Sequence, residues 1–387
     1  MFSLQKINEV YLDNAATTKV DEKVAEAMMP YYVEKYGNAS STHLKGEEAR
    51  RAVEEAREAI AGAIGAKYKE VIFTGSGTEA NNFAIKGLFF SNFPEKNHII
   101  TSRIEHDCVL NACKWLETQG AKVTYLDVDE KGFVNPADIE KAITSKTFLV
   151  TIIHGNNEIG TIQELRKIGE ICKKKGVLFH TDACQSFTKV PINVKKDNVD
   201  LMTLNAHKIH GPKGVGALYI NTGIKITPLL HGGAQEFGLR SSTENVAGIV
   251  GFAKAFKISS SSDVKSMKKL RDYFIAELLK IPNTRLNGAE GDRRLCNNIN
   301  VSFNNIEGEA IGSFLNAKKI FTSTGSACSS KSLEPSHVLM ALGLNALTAN
   351  SSIRISISKY TTKEEVDYAL DEIRKTAERL RKISPLA

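Results

Sequence analysis

The sequence predicts an α/β fold built on a mostly parallel sheet. Strand-like runs alternate with helical patterns from about residue 70 to residue 220, and this order is typical of a parallel sheet with helices on both faces. Several of the runs are continuously apolar, as in strands that are buried on both sides. The 387 residues are 42% hydrophobic and 25% charged, a composition that excludes a largely disordered chain.

The predicted elements follow in order along the chain. Strands are predicted over residues 71–73, 98–101, 122–125, 148–153, 177–180 and 201–204, with helical stretches between them. Two later runs, 298–303 and 353–358, are also predicted as strands.

A small polar segment at residues 258–263 is the clearest internal break in the sequence. A helical pattern follows over 264–281, and the last helix opens with a capping-box pattern at 362–365. We therefore expect a large domain over 15–258 and a smaller α+β domain formed by 1–14 and 259–387.

The distribution of charged residues and cysteines argues against several classes of protein. The 51 Lys and Arg and 44 Asp and Glu are spread along apparent helices, which indicates a solvated surface and argues against nucleic-acid binding. The six cysteines show neither a CxxC pair nor zinc-ligand spacing, so we expect no metal site. The sequence shows no signal-peptide core and no membrane-spanning apolar run, and we expect a cytoplasmic protein with reduced thiols.

Polar residues follow several predicted strands, at the edge where open α/β sheets bind ligands. The turn at residues 74–79 could cradle a phosphate, although a simple helix cap explains it at least as well. Asp182 and Lys208 follow two other strands, and His106 follows a third. Taken alone, each has an ordinary structural explanation: Asp182 as a helix cap, Lys208 as a surface amine and His106 as a loop histidine. Together they suit pyridoxal phosphate, which needs a Schiff-base lysine, an acid for its ring nitrogen and a cover for its ring.

One cysteine stands apart from the other five. Residues 322–332 are almost all Ser, Thr, Gly, Ala and Cys, which predicts an exposed loop with an accessible thiol at Cys328. The other cysteines lie in apolar contexts, where a buried, inert thiol is the default. We favour packing roles for Cys108 and Cys184 as well, although both lie close to candidate site residues.

A set of short motifs runs from one end of the chain to the other. They are Tyr11–Thr18, Glu105–His106, Asn156–Gly160, Asp182 with Gln185, His207–Lys208, Arg240–Thr243, Ser323–Cys328 and Ser351–Arg354. Through them the chain resembles the NifS/IscS-type cysteine desulfurases, in the branch with a long catalytic-cysteine loop. The resemblance implies a fold-type I pyridoxal-phosphate enzyme with a mostly parallel seven-stranded sheet in its large domain.

The resemblance also implies a role for each matching residue. Lys208 would hold the cofactor and act as the base, His106 would cover the ring and move protons, and Cys328 would be the nucleophile. Arg354, with Asn157, would bind the substrate, because a planar guanidinium suits a carboxylate. The other cofactor contacts would come from Gly77, Thr78, Asn157, Asp182, Gln185, Asn205, His207 and Thr243.

The implied reaction converts L-cysteine to L-alanine and places the sulfur on Cys328 as a persulfide. The sulfur would then pass to an acceptor such as an IscU-type scaffold, for iron–sulfur cluster assembly or tRNA thiolation. In this family Thr243 reaches the phosphate of the neighbouring subunit, which implies a homodimer. Asn205 and Ser242 stand where the family usually has Ser and Gly, and the second change matters if that turn requires a positive φ.

Other functions remain open from the sequence. An aminotransferase would not need Cys328 in an exposed loop, and a selenocysteine lyase would process cysteine poorly. An inactive sulfur-relay or scaffold subunit is a third alternative. The joint presence of Lys208, Asp182 and Cys328 argues against that alternative.

Overall fold

The structure, a computed structural model, describes residues 9–324 and 334–383. Its strands are β1 (Val10–Tyr11), β2 (Val71–Thr74), β3 (His98–Ser102), β4 (Lys122–Leu126), β5 (Thr147–Thr151), β6 (Leu178–Asp182), β7 (Leu201–Asn205), β8 (Gly216–Ile220), β9 (Thr284–Leu286), β10 (Asn298–Phe303), β11 (Ile320–Phe321) and β12 (Ser352–Ser356). The helices are α1 (Glu22–Met28), α2 (Pro30–Val33), α3 (Leu44–Ile64), α4 (Gly77–Asn92), α5 (Asp107–Glu117), α6 (Pro136–Ala142), α7 (Leu165–Lys175), α8 (Val246–Lys257), α9 (Ser261–Leu278), α10 (Gly308–Ala317), α11 (His337–Ala341), α12 (Ala346–Asn350) and α13 (Lys363–Ile383).

The central sheet has seven strands in the order β2-β8-β7-β6-β5-β3-β4. All neighbours are parallel except β8, which runs antiparallel to both β2 and β7. The predicted α/β class with a mostly parallel seven-stranded sheet is therefore confirmed. β8 was not among the predicted strands, and β5 ends at Thr151 rather than at residue 153. The backbone N–H of Ile152 still donates to His180 O on β6, whereas that of Ile153 bonds to Glu105 Oε1.

Two apolar layers cover this sheet. Alternate side chains of each strand point to opposite faces, so Phe73 packs in the cluster with α3, α7 and α8, whereas Ile72 packs in the cluster with α4 and α5. Because both faces are covered, polar side chains gather at the ends of the strands.

A second, three-stranded sheet has the order β12-β10-β9 and is antiparallel. It packs on α9, α10 and α13 in a third apolar cluster, and β1 pairs with β11 beside it. The predicted capping box is present, because the backbone N–H of Glu365 donates to Thr362 Oγ1 and that of Thr362 donates to Glu365 Oε2. Helix α9 begins at Ser261, three residues before the predicted start, because Ser260 caps it. The domain boundary at residue 258 stays a prediction.

Among the described residues, no helix is both long enough and apolar enough to cross a membrane.

Candidate active site

The carboxyl edge of the central sheet collects the predicted site residues. Helix α4, which carries Gly77 and Thr78, follows β2, and His106 follows β3. Asn157 follows β5, Asp182 ends β6, and His207 and Lys208 follow β7. Parallel strands bring these positions to one edge, although they are well separated along the chain.

The start of α4 forms a turn suited to an anion. Ser76 caps the helix, its Oγ accepting from the backbone N–H of Glu79 at 3.0 Å. The first N–H groups of a helix have no intrahelical acceptor, and the dipole favours negative charge there. A Cβ on Gly77 would lie 2.6 Å from Cys184 Sγ and 3.4 Å from Asn205 Nδ2, so the close packing at this turn requires glycine.

Asp182 lies buried at the end of β6. Its Oδ2 accepts from Asn81 Nδ2 at 2.7 Å, and its Oδ1 accepts from the backbone N–H of Cys184 at 2.9 Å. An ionised carboxylate offers about four acceptor positions, so each oxygen retains one for a further donor. Asn81 was not predicted from the sequence. Its position one helical turn after Gly77 and Thr78, on the face of α4 that turns toward β6, is the signal that could have found it.

His106 caps α5, which fixes the orientation and tautomer of its ring. Nδ1 accepts from the backbone N–H of Cys108 at 3.1 Å and also lies 3.1 Å from Cys108 Sγ. In the neutral ring the proton is therefore on Nε2, which has no hydrogen-bond partner within residues 9–324 and 334–383. Asn81 Nδ2 donates to the same Cys108 sulfur at 3.1 Å and so links His106 to Asp182.

The residue before His106 is buried as a neutral acid. Glu105 Oε1 accepts from Ser102 Oγ at 2.5 Å and from the backbone N–H of Ile153 at 3.0 Å. Burial raises the pKa of Glu105 to about 8. At neutral pH it therefore holds a proton and locks the β3 and β5 ends together without adding charge to the site.

Lys208 and Gln185 converge on the segment after β1. Lys208 Nζ donates to the carbonyl oxygens of Ala15 and Ala16, at 2.7 Å for the second, and Gln185 Nε2 donates to Ala15 O at 2.8 Å. His207 is tied to the same segment, with Nδ1 lying 3.1 Å from Thr17 Oγ1. Burial, helped by neighbouring lysines, lowers the pKa of His207 to about 4 and keeps the ring neutral at pH 7.

Arg354 on β12 comes from the second sheet and meets the edge of the first. Its Nη2 donates to Asp13 Oδ1 at 3.0 Å, and its Nη1 makes a long contact of 3.4 Å with the carbonyl oxygen of Asn157. Its Nε is buried and has no hydrogen-bond partner among the described residues. Asp13, which lies within the Tyr11–Thr18 motif, was not predicted to hold this arginine.

Thr243 does not join this group. It is exposed and lines a separate cavity of about 150 Å³ with Gly75, Arg240 and Ser242. Arg240 Nε donates to Glu79 Oε1 at 2.7 Å, which holds this segment against the first turn of α4. The backbone of Ser242 does not adopt a positive φ, so its replacement of glycine strains nothing.

Cys328 lies outside the described residues. Of the other cysteines, four are buried and Cys108 is partly exposed. Burial raises the pKa of Cys108 to about 12 and raises the pKa of Cys184 well above its ordinary value. Both are thiols rather than thiolates at neutral pH, and the expectation of packing roles agrees with this.

These residues fit the pyridoxal phosphate expected from the sequence. Asp182 keeps acceptor capacity at the end of β6, and the start of α4 offers N–H groups to an anion. Two buried side-chain oxygens, Asn157 Oδ1 and Asn205 Oδ1, have no hydrogen-bond partner in the part of the chain that the structure describes. Buried amides without a partner are uncommon in folded proteins, and each carries an NH2 group that can donate to the phosphate or phenolic oxygens of the cofactor.

Comparisons with known proteins agree with the resemblance found in the sequence motifs. The family model of aminotransferase class V matches residues 10–369. Cysteine desulfurase IscS from Dictyoglomus turgidum is 51% identical over 381 residues, which cover 97% of this chain and 96% of the relative. A solved NifS-like protein is 42% identical with a TM-score of 0.91, over 96% of this chain and all of the other. Another structure, SspA in complex with cysteine, is 40% identical with a TM-score of 0.83, over 91% of this chain and all of the other.

Proposed function

This chain belongs to the class-V aminotransferase family and within it to the cysteine desulfurases, and on that premise we propose how its residues divide the reaction. The observation that carries the proposal is the meeting of Lys208, Asp182 and His106 at one sheet edge, with Arg354 arriving from the second sheet. The substrate is L-cysteine, and the products are L-alanine and a sulfur atom bound to the protein.

Enzymes of this family depend on pyridoxal phosphate. The residues that would hold it are Lys208 by covalent attachment, Asp182 at the ring nitrogen, Gln185 and Asn157 near the phenolic oxygen, and Gly77, Thr78, Asn205 and His207 at the phosphate. When bound, the cofactor supplies an electron sink for the charge left on the substrate's α-carbon after its proton departs.

Three side chains of this protein act on the amino acid itself. Arg354 binds the α-carboxylate, because its buried Nε has no hydrogen-bond partner among the described residues and leaves the guanidinium a donor for the substrate. The Nζ of Lys208 removes the α-proton. His106 carries a proton on Nε2, where it faces away from its contact with Cys108, and acts as the second proton-transfer group.

The sulfur step belongs to Cys328. Its thiolate attacks the sulfur of L-cysteine, the new S–S bond forms as the carbon–sulfur bond breaks, and the carbon gains a proton to give L-alanine. The residues that flank the undescribed segment touch the site. Ser323 pairs through its backbone with Arg354, and Ser336 Oγ donates to Glu158 Oε2 at 2.5 Å. This placement supports a nucleophile on the intervening segment.

The assembly and the acceptor follow from the family. We propose a homodimer in which Thr243 contacts the phosphate of the neighbouring subunit, which agrees with its exposure away from this chain's own site. The sulfur passes to an acceptor protein such as an IscU-type scaffold for iron–sulfur cluster assembly, or to tRNA thiolation. The five described cysteines are free, which supports a reducing, cytoplasmic setting.

The test is alanine release from L-cysteine in the presence of a thiol reductant, by the protein loaded with pyridoxal phosphate. The parent should produce alanine, and a Cys328→Ala variant should not. A Cys172→Ala variant, which changes a buried cysteine in the core around α7, serves as the control and should match the parent. Mass spectrometry without reductant should find one additional sulfur on Cys328.

Three results would contradict the proposal. A cofactor-loaded parent that releases alanine only from L-selenocysteine is a selenocysteine lyase, and one that needs a 2-oxo acid as amino acceptor is an aminotransferase. Full alanine release by the Cys328→Ala variant would remove Cys328 from the sulfur step while leaving the cofactor assignment intact.

A further inference from the structure

A lysine that the reaction above does not use lies beneath the cofactor-binding lysine. Lys189 follows the β6 turn, and its Nζ donates to the carbonyl oxygen of Gln185 at 2.9 Å and to that of Lys208 at 3.2 Å. It also lines the small pocket behind Lys208. Burial lowers the pKa of its ammonium to about 8, well below the ordinary value for lysine.

These contacts close a ring of hydrogen bonds through both turns. Gln185 Nε2 donates to Ala15 O, and Lys208 Nζ donates to the same oxygen. Lys189 completes the ring from below by joining the main chains of Gln185 and Lys208. The segments at Ala15, Gln185 and Lys208 are therefore held at fixed spacing. The side chains of Gln185 and Lys208 belong to the proposed cofactor site.

The residue before Lys189 has an unusual backbone conformation. Thr188 has a φ of +66°, in the left-handed region that β-branched residues rarely adopt. Such strain persists only where the surrounding structure compensates for it, and it tends to occur at functional sites. Next to this residue, the partly buried Lys189 ammonium makes its two carbonyl contacts.

A single ammonium thus bridges the main chains of the two turns. Loss of this group would leave the carbonyl oxygens of Gln185 and Lys208 without its N–H donors, in a place that water reaches poorly. The turns would then relax independently, and the Lys208 amine would lose its fixed position relative to Gln185. Small displacements of reacting groups have large effects on rate.

We propose that Lys189 is a positioning residue for the desulfurase reaction, holding the main chain of Lys208 at a set distance from Gln185. The proposal rests on the proposed function for the role of Lys208. Lys189 does not touch the substrate, so its replacement should change cofactor binding and kcat. Binding of the substrate carboxylate depends on Arg354.

The test compares Lys189→Met with Lys189→Arg and with a matched control. Methionine keeps the length and apolar character of the side chain but has no donor, and arginine keeps the charge and the donors. The control is Lys195→Met, because Lys195 Nζ also makes three contacts, with Glu70, Tyr219 and Asn221, at the opposite end of the sheet. The measurements are the dissociation constant of pyridoxal phosphate, the visible circular dichroism of the bound cofactor, and kcat and KM for L-cysteine.

For Lys189→Met we expect kcat to fall roughly 10- to 100-fold, with KM for L-cysteine changed less than about twofold. The visible dichroism should change in shape and the cofactor should bind more weakly, whereas Lys189→Arg recovers part of both. Lys195→Met should lower thermal stability and leave all these quantities at the parent values.

The proposal is overturned if Lys189→Met keeps the parent's dichroism and cofactor affinity, or if Lys195→Met alters them equally. Should Lys189→Met fail to fold, the same quantities are read from Lys189→Gln, which keeps one donor group. If the parent binds the cofactor but releases no alanine, the proposed function fails, and the dichroism and affinity still decide the role of Lys189.

Discussion

Two buried arginines in the second half of the chain, Arg271 on α9 and Arg354 on β12, use their donors differently. All three nitrogens of Arg271 donate, to Asp272 and to the carbonyl oxygens of Gly291, Arg294 and Leu295. Arg354 makes one good bond, to Asp13, and one long contact, and its Nε has no partner among the described residues. Arg271 therefore serves the scaffold, whereas Arg354, which lies at the proposed site, retains a donor for a ligand.

Histidines show the same contrast. His180 is buried in the sheet, with Nδ1 at 2.8 Å from Thr151 Oγ1 and Nε2 at 3.0 Å from Thr203 Oγ1. His106 uses only Nδ1, and its Nε2 has no hydrogen-bond partner in the described part of the chain. The comparison therefore separates groups that hold the fold from groups that await a reactant, and it can be tested in four ways.

The largest effect is expected from Arg354→Met. Loss of two charge-assisted hydrogen bonds to the carboxylate should cost about 4 kcal/mol in transition-state binding, or roughly 1000-fold in kcat/KM for L-cysteine. Stability in urea should change by less than about 1 kcal/mol, because Asp13 is partly exposed and can be hydrated. Arg354→Lys should remain far below the parent, since an ammonium cannot form the bidentate pair. Parent-like kinetics in Arg354→Met would end the carboxylate assignment.

Arg271→Met should give the opposite pattern. Several buried carbonyl oxygens would lose their donor, which should lower the free energy of unfolding by about 3 kcal/mol. The remaining folded enzyme should keep the parent's kcat and KM. Urea unfolding followed by far-ultraviolet circular dichroism measures the first quantity, and kinetics at low temperature measure the second. A loss of activity in the folded protein would contradict the division between the two arginines.

Acid should destabilise the protein through its buried histidines. Burial lowers the pKa of His180 from 6.5 to about 4, so the folded state binds fewer protons than the unfolded state between these values. The stabilising contribution is complete above pH 6.5 and is lost as pH falls through 4, and it amounts to about 3 kcal/mol at most.

Replacement of His180 isolates its share of this acid sensitivity. His180→Gln should flatten the fall in unfolding free energy over that pH range, although the protein begins less stable. His231→Gln, at an exposed position, should retain the parent's slope. An unchanged slope in His180→Gln would show that the ring is not neutral in the fold.

The smallest effect is expected at the strained residue beside the site. Thr188→Gly should raise the free energy of unfolding by about 1 kcal/mol, because glycine adopts a φ of +66° without a steric penalty. Thr118→Gly, at a helix end with a φ of −69°, should not stabilise the protein. If Thr188→Gly destabilises instead, the relief of strain is smaller than the conformational entropy that glycine adds to the unfolded chain.

Local sequence patterns predicted most of the central sheet and the type of cofactor. Strand-like runs, several of them continuously apolar, predicted six of the seven strands of the central sheet, and the residue types after those strands indicated the cofactor. The missing strand, β8, follows the Lys208 turn and is antiparallel to its neighbours, so it breaks the βαβ order on which the prediction relied. The early start of α9 depended on Ser260, whose capping role is local but was hidden by the surrounding run of serines.

Which atoms meet could not be predicted in the same way. Asp13 and Arg354 lie 341 residues apart and pair because the segment after β1 bridges to β12, the edge strand of the second sheet, at Ser356. Asn81 and Asp182 meet across the sheet edge, and Lys189 Nζ contacts the main-chain oxygens of Gln185 and Lys208.

The sequence by itself determined the class of fold, the order of its predicted strands and the chemical types gathered for catalysis, because burial and turn formation depend on neighbouring residues. Only the tertiary structure decided the hydrogen-bond partners, and with them which arginine is satisfied and which is available. The physical reason is that side-chain donors are directional and act over about 3 Å, a precision set by the packing of the whole chain rather than by the spacing of residues along it.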